Sequence, residues 1–165
     1  MPSPTNTRTL RTPDILQCNL LPVRQASRQI SRLYDQHLAP AALTSTQFVI
    51  LALLYANPGM SMRELGAELM LERSALLRTM KPLTRDQLVL TVRRTGSGAR
   101  QFTFGLTGTG EARYAQAHPL WLAAQQAFDQ LVGGRFSDAL HRQLSGVADA
   151  VSVSDPNASA GSPTG

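Results

Sequence analysis

Arginine is the residue type that gives this sequence its chemistry. Fifteen of the sixteen cationic side chains are arginines, and they are unevenly spread. Between Ser61 and Arg100 stand Arg63, Arg73, Arg78, Lys81, Arg85, Arg93, Arg94 and Arg100 against Glu64, Glu68, Glu72 and Asp86, an excess of four positive charges in forty residues. The whole chain of 165 residues carries +5, so the other 125 supply only +1. A guanidinium stays protonated and donates through a planar fork that fits phosphate oxygens, so a local arginine excess suits a polyanion. On charge alone, a solvated basic surface is the competing reading.

Spacing decides between the two. Ser61-Met62-Arg63-Glu64 is a capping box that starts a short helix ending near Leu69 or Met70, and a second helix runs from about Arg73 to Asp86. Its inward stripe is Leu76, Met80 and Leu83, while Arg73, Ser74, Leu77, Arg78, Lys81 and Arg85 fall on the opposite side of a helical wheel. Two helices joined by a tight turn, the second with a basic outer face, form a helix-turn-helix pattern. Leu88 to Arg94 and Arg100 to Leu106 then read as two strands around a Thr95–Gly98 turn, a wing that adds Arg94 and Arg100 to the basic set. The predicted partner is double-stranded DNA.

Other chemistry is poorly supplied. Cys18 is the only cysteine, which excludes a disulfide within the chain and any cysteine-cluster zinc site. His37, His118 and His141 do not have metal-site spacing. There is no phosphate loop, no G-x-S-x-G and no H-E-x-x-H. The chain is therefore expected to be no enzyme and to need no metal or cofactor.

The elements that must position the basic face can be read from the rest of the chain. The composition, 42% hydrophobic and 16% charged, is that of one globular domain. The longest apolar run, Phe48 to Ala56, is far short of the about 20 residues a membrane span needs, and no export signal is visible, so a cytoplasmic chain with no membrane partner is expected. Residues 1–11 and 152–165 read as tails, and 12–151 as the domain. Thr12-Pro13-Asp14 signals the first helix, which is periodic to about Leu38, with a kink or break expected at Pro22. Thr44-Ser45-Thr46-Gln47 caps a helix apolar on all sides, as befits the middle of a core. Thr107 and Ser137 read as the caps of two closing helices. The first carries a seam of Tyr114, Ala117, Trp121, Ala124, Phe128 and Leu131, and the second a stripe of Leu140, Leu144, Val147 and Val151. The expected fold is mainly α with a small β-wing: a winged helix-turn-helix over about 44–106, flanked by dimerisation helices over about 12–38 and 107–151. A homodimer would bury the seam. Alternatively, the closing helices fold back on their own winged unit.

This order of elements resembles the MarR family of bacterial winged-helix regulators over residues 14–150. The resemblance rests on several segments. They are Arg28 to Tyr34 with Leu38-Ala39-Pro40, then Leu43-Thr44-Ser45-Thr46-Gln47-Phe48, Glu64-Leu65, Glu68-Leu69, Met80 to Asp86, and Leu106-Thr107 with Gly110. Three positions depart from the family pattern. The wing reads Gly98-Ala99-Arg100 where the family has Asp-x-Arg, Ala75 and Leu77 replace hydroxyl residues, and Gln87 stands where relatives often have Gly. Gln87 must then adopt a left-handed conformation, or the helix must end differently. The resemblance implies a dimeric repressor released from a pseudo-palindromic operator by a small aromatic or anionic effector. Arg24, Arg28, Tyr34, His37, Gln47, His118 and Trp121 are candidates to line the effector cleft.

Two alternatives differ in class. The similar organic peroxide regulators sense oxidant through a cysteine of the first helix. Cys18 lies in that region, about two residues out of register with the reactive position. A winged-helix module that binds only protein is the other, and the outward arginines argue against it.

Overall fold

The structure, a computed structural model, describes residues 17–94 and 101–153. In chain order the elements are α1 (Leu20–Leu38), a 3-10 turn (Ala39–Ala41), α2 (Ser45–Ala56), β1 (Met60–Ser61), α3 (Met62–Leu69), α4 (Arg73–Arg85), β2 (Val89–Arg94), β3 (Gln101–Leu106), α5 (Gly108–Val132) and α6 (Gly134–Val153). The Thr12–Asp14 start signal, the Thr95–Gly98 turn, Arg100 and the tails at 1–11 and 154–165 lie outside the described residues. The fold is mainly helical with one small antiparallel sheet, as expected.

Local side-chain chemistry sets the helix starts. The Thr44 hydroxyl accepts the Gln47 amide at 3.3 Å, and Gln47 Oε1 accepts the Thr44 amide at 2.9 Å. Ser61 and Glu64 repeat the exchange ahead of α3, at 3.3 and 2.6 Å. Both predicted capping boxes are closed, each satisfying amides that a helix start leaves without partners. Asp35 Oδ1 of α1 also accepts the Ser45 amide at 2.6 Å, fastening the start of α2 to the preceding helix.

Among the described residues Pro22 opens a helix rather than interrupting one. It sits in the first turn of α1, where its missing N–H would have had no intrahelical acceptor. The last helix likewise starts earlier than Ser137. Gly133, at φ 87°, turns the chain out of α5, and α6 opens at Gly134, leaving Ser137 buried within the first turns with its amide on the Gly133 carbonyl. It then continues through Val153, two residues into the expected tail.

The core is built around α2. Phe48, Ile50, Leu51 and Leu54 are buried together with Leu65 of α3, Leu76, Met80 and Leu83 of α4, Val89, Phe104 and Ala117. A third strand joins the predicted hairpin: β1 pairs with β3, Met60 opposite Phe104 and Ser61 opposite Thr103, giving the order β1-β3-β2. The hairpin itself runs in register from Val89↔Leu106 to Arg94↔Gln101.

The seam of α5 turns inward. Ala117 and Ala124 are fully buried, and Tyr114, Trp121 and Phe128 are half-buried, because α5 packs on α1 and α2 of the same chain. Trp121 stacks on Phe48 with ring centroids 5.8 Å apart, and Tyr114 stacks on it at 5.7 Å. Only Leu131, at 74% exposure, leaves the seam for solvent. The seam therefore gives no ground for a second chain. Exposed apolar residues outside the seam include Leu20, Leu21 and Val23 on α1, and Phe136, Leu144, Val147 and Val151 on α6.

Candidate nucleic-acid interface

The basic face of α4 is presented by the junctions at its two ends. At the front, α3 ends with Met70 in the left-handed region, φ 48°. There the Met70 amide donates to the Ala67 carbonyl at 3.2 Å and the Leu71 amide to Gly66 at 3.0 Å. This tight reversal swings the chain into α4 within three residues. At the rear, Gln87 adopts φ 55°, the left-handed one of the two outcomes open to it. The Gln87 amide donates to Thr84 at 3.1 Å and the Leu88 amide to Leu83 at 2.9 Å, the paired bonds of a Schellman end. Leu83 and Leu88 are both buried beneath it.

Thr107 clamps that rear junction. Its hydroxyl donates to the Gln87 carbonyl at 2.6 Å and accepts the Gly110 amide at 2.9 Å, while its own amide donates to Leu88 at 3.1 Å. One residue thus caps α5 and ties it to the turn between α4 and β2. Arg113, one turn further along α5, donates to the Ala41 carbonyl at 2.9 Å. Sequence reasoning identified Thr107 only as a cap. Its second role needs the chain end of α4, twenty residues away, and no local pattern carries that.

With its ends fixed, α4 buries Leu76, Met80 and Leu83 and exposes Arg73, Ser74, Leu77, Arg78, Lys81 and Arg85, the predicted division. The two threonine hydroxyls of the helix are engaged by its own backbone, Thr79 donating to Ala75 and Thr84 to Met80, each at 3.1 Å. Pro82 lacks the amide that would bond the Arg78 carbonyl, leaving that oxygen without its helical donor. Arg85 is on the predicted face but is engaged. Its guanidinium grips the Asp86 carboxylate through two hydrogen bonds, at 2.7 and 3.1 Å. That bidentate bond holds the Asp86 carboxyl below, and the Arg85 guanidinium above, their ordinary ranges. Among the described residues it is the one ion pair. Arg73, Arg78 and Lys81 keep their charge free for an outside partner. Arg63 on α3 and Arg93 on β2 are also exposed and belong to the same basic stretch, although the helical wheel left them out. Arg94 closes β2, and Arg100 lies outside the described residues.

The effector candidates have other engagements. Gln47 is held in its capping box. The Tyr34 hydroxyl donates to Gln125 Oε1 across the α1–α5 contact, and burial, reinforced by the nearby Asp129 carboxylate, pushes its pKa up. His37 bonds the Leu33 carbonyl through Nδ1 at 2.8 Å, within its own helix. Trp121 is stacked in the core, while Arg24 and Arg28 stand in solvent. Of the seven candidates, His118 lines a cavity, beside Tyr55 and Tyr114. Cys18 is exposed, two residues ahead of α1 rather than within it.

Comparison with known proteins places this geometry. The MosR transcriptional regulator of M. tuberculosis, solved in complex with DNA, is 32% identical with a TM-score of 0.71, the match covering 83% of this chain and 98% of that one. The sequence pattern of the MarR family matches residues 43–97, from the start of α2 into the wing. The chain belongs to the MarR family. Its members regulate transcription by binding DNA and are not enzymes. The transcriptional repressor CouR is similar at 26% identity and a TM-score of 0.73 over 85% of this chain and 99% of that one, and it has been solved on a 23-mer DNA duplex. PcaV of Streptomyces coelicolor, in complex with its natural ligand, shares the fold at 22% identity and a TM-score of 0.72, over 84% of this chain and 96% of that one. No curated protein matches the sequence. Among the described residues no single helix is long and apolar enough to cross a membrane.

Proposed function

We propose that this MarR-family chain is a homodimeric cytoplasmic repressor that holds a two-fold symmetric operator and releases it when a small aromatic molecule binds. One observation carries the DNA half: α4, fixed at both ends, presents Arg73, Arg78 and Lys81 unpaired on one exposed face with Ser74 and Leu77 between them. Arginine reads guanine edges or phosphates, and Leu77 can meet a thymine methyl. Arg94 and Arg100 extend the contact from the wing. Arg85 joins it by exchanging Asp86 for a phosphate.

The dimer reading is supported by the exposed apolar residues of α1 and α6. They flank a cavity of about 440 Å³ between Pro22, Val23, Ala26, Ile30, Leu140 and Leu144. A second copy would cover these residues and set two α4 helices about one DNA turn apart. The effector reading draws on CouR, which is solved bound to p-coumaroyl-CoA as well as to DNA.

The test is a mobility-shift series on operator and random duplexes at about 0.15 M salt. Arg78→Ala should cost about 1–3 kcal/mol on the operator and relax its specificity. Equal binding of operator and random DNA by the unaltered chain contradicts the reading. A parallel arm compares aromatic carboxylates with cumene hydroperoxide on the wild type and Cys18→Ser. Release by peroxide alone, lost in Cys18→Ser, would make the thiol the sensor instead.

A further inference from the structure

One cavity has a lining unlike that of an anion site. It lies between the end of α2 and the first half of α5, holds about 670 Å³, and is bounded by Tyr55, Gly108, Glu111, Ala112, Tyr114, Ala115 and His118. That volume suits a small molecule. Gly108, Ala112 and Ala115 follow one stripe of α5 and give the groove a floor without bulk, with open space above Gly108. Its walls are aromatic. Tyr55, 57% exposed, stacks on Tyr114 with centroids 4.7 Å apart, and His118 tilts against Tyr114 at 5.8 Å. The polar group in the lining that carries a full charge is Glu111. It is exposed, and among the described residues its carboxylate has neither an ion-pair nor a hydrogen-bond partner. No arginine or lysine lines the groove.

We infer that this groove binds a planar aromatic cation, stacked against Tyr55 and charge-matched by Glu111. Aromatic faces attract cations through their quadrupole, and an unpaired carboxylate at the rim adds attraction for a cation and repulsion for an anion. The inference rests on the reading that a small aromatic molecule acts on this protein, and it reverses the charge expected of that molecule. The place also has regulatory reach. The groove's floor begins one residue after Thr107, so an occupant sits on the turn of α5 that is tied to the end of α4.

The test is calorimetric titration of the full chain, without DNA, using N-methylquinolinium and 2-naphthoate, bicyclic aromatics of similar size and opposite charge. The cation is expected to bind at least about tenfold tighter than the anion. Glu111→Gln should weaken cation binding about fivefold, and Tyr55→Ala about tenfold. Both side chains are exposed, so each variant should keep the fold: Glu111→Gln should leave thermal melting nearly unchanged, and Tyr55→Ala should lower it only by the loss of the Tyr114 stack. Preference for the naphthoate, binding of neither probe, or cation binding unchanged in both variants overturns the inference. None of these results decides whether small molecules release the operator, which the mobility-shift series reads separately.

Discussion

A Cβ on Gly110 would stand 2.0 Å from the carbonyl oxygen of Leu88. That oxygen accepts the Thr107 amide and lies beside the Thr107 hydroxyl, so it has no direction in which to retreat. The first turn of α5 can approach the start of β2 only where there is no side chain. Gly110→Ala should therefore destabilise the fold by about 3 kcal/mol or more, a large effect for one methyl group. Denaturant unfolding measures it, and an unchanged midpoint would contradict the close approach.

Gln87→Gly should act in the opposite sense. A non-glycine residue in the left-handed region costs about 1–2 kcal/mol, partly offset by the greater freedom that glycine has when unfolded. A gain of about 0.5–1 kcal/mol is expected, with Asn in between. The same unfolding curves should show the midpoint rising in that order, and a fall for Gly would refute the conformation seen at φ 55°.

Two acidic substitutions separate folding from assembly. Trp121 stacks on Phe48 inside the chain, so Trp121→Glu should lower the stability of the fold by about 3 kcal/mol. Val147 is 58% exposed on α6, so Val147→Glu should leave an isolated chain as stable as before. In light scattering, Val147→Glu should move the mass toward that of one chain. Equal masses for Val147→Glu and wild type would place any dimer face elsewhere.

Tyr34 predicts an alkaline limit. Burial, with the Asp129 carboxylate adding to it, raises the folded pKa above the unfolded value of about 10. A raised folded pKa means that the contribution is complete below the unfolded value and is lost as pH climbs through the folded one. Phenolate absorbance should therefore report one tyrosine titrating late, with the bond to Gln125 lost as it does. Asp129 Oδ1 is buried with no hydrogen-bond partner among the described residues. Asp129→Asn should bring the late titration earlier, though not to its ordinary value, because burial remains.

What the sequence discloses here is chemistry that closes over a few residues. The boxes at Thr44 and Ser61, the cap at Thr107 and the two faces of α4 each involve partners within about one or two turns, and each is present. Ser137 does not cap the last helix, because Gly133 has already ended one helix and released the next. β1 is two residues long and exists only through its pairing with β3, so no periodicity announces it. An apolar seam states that it will be covered without stating by what. For Trp121 the cover is Phe48, some seventy residues earlier in the chain. The basic face was legible for the converse reason: charges that stay in water need no partner to be placed.

Ser61 belongs to two structures at once. Its hydroxyl receives the Glu64 amide that opens α3, and its backbone pairs with Thr103 in the sheet. Fraying β3 would therefore withdraw the frame that holds the cap, and melting the first turn of α3 would free the strand's edge. The wing and the helix-turn-helix are thereby joined into one cooperative opening unit. In native-state hydrogen exchange, the amides of Glu64 and Thr103 would share one opening free energy, although they lie thirty-nine residues apart in the chain.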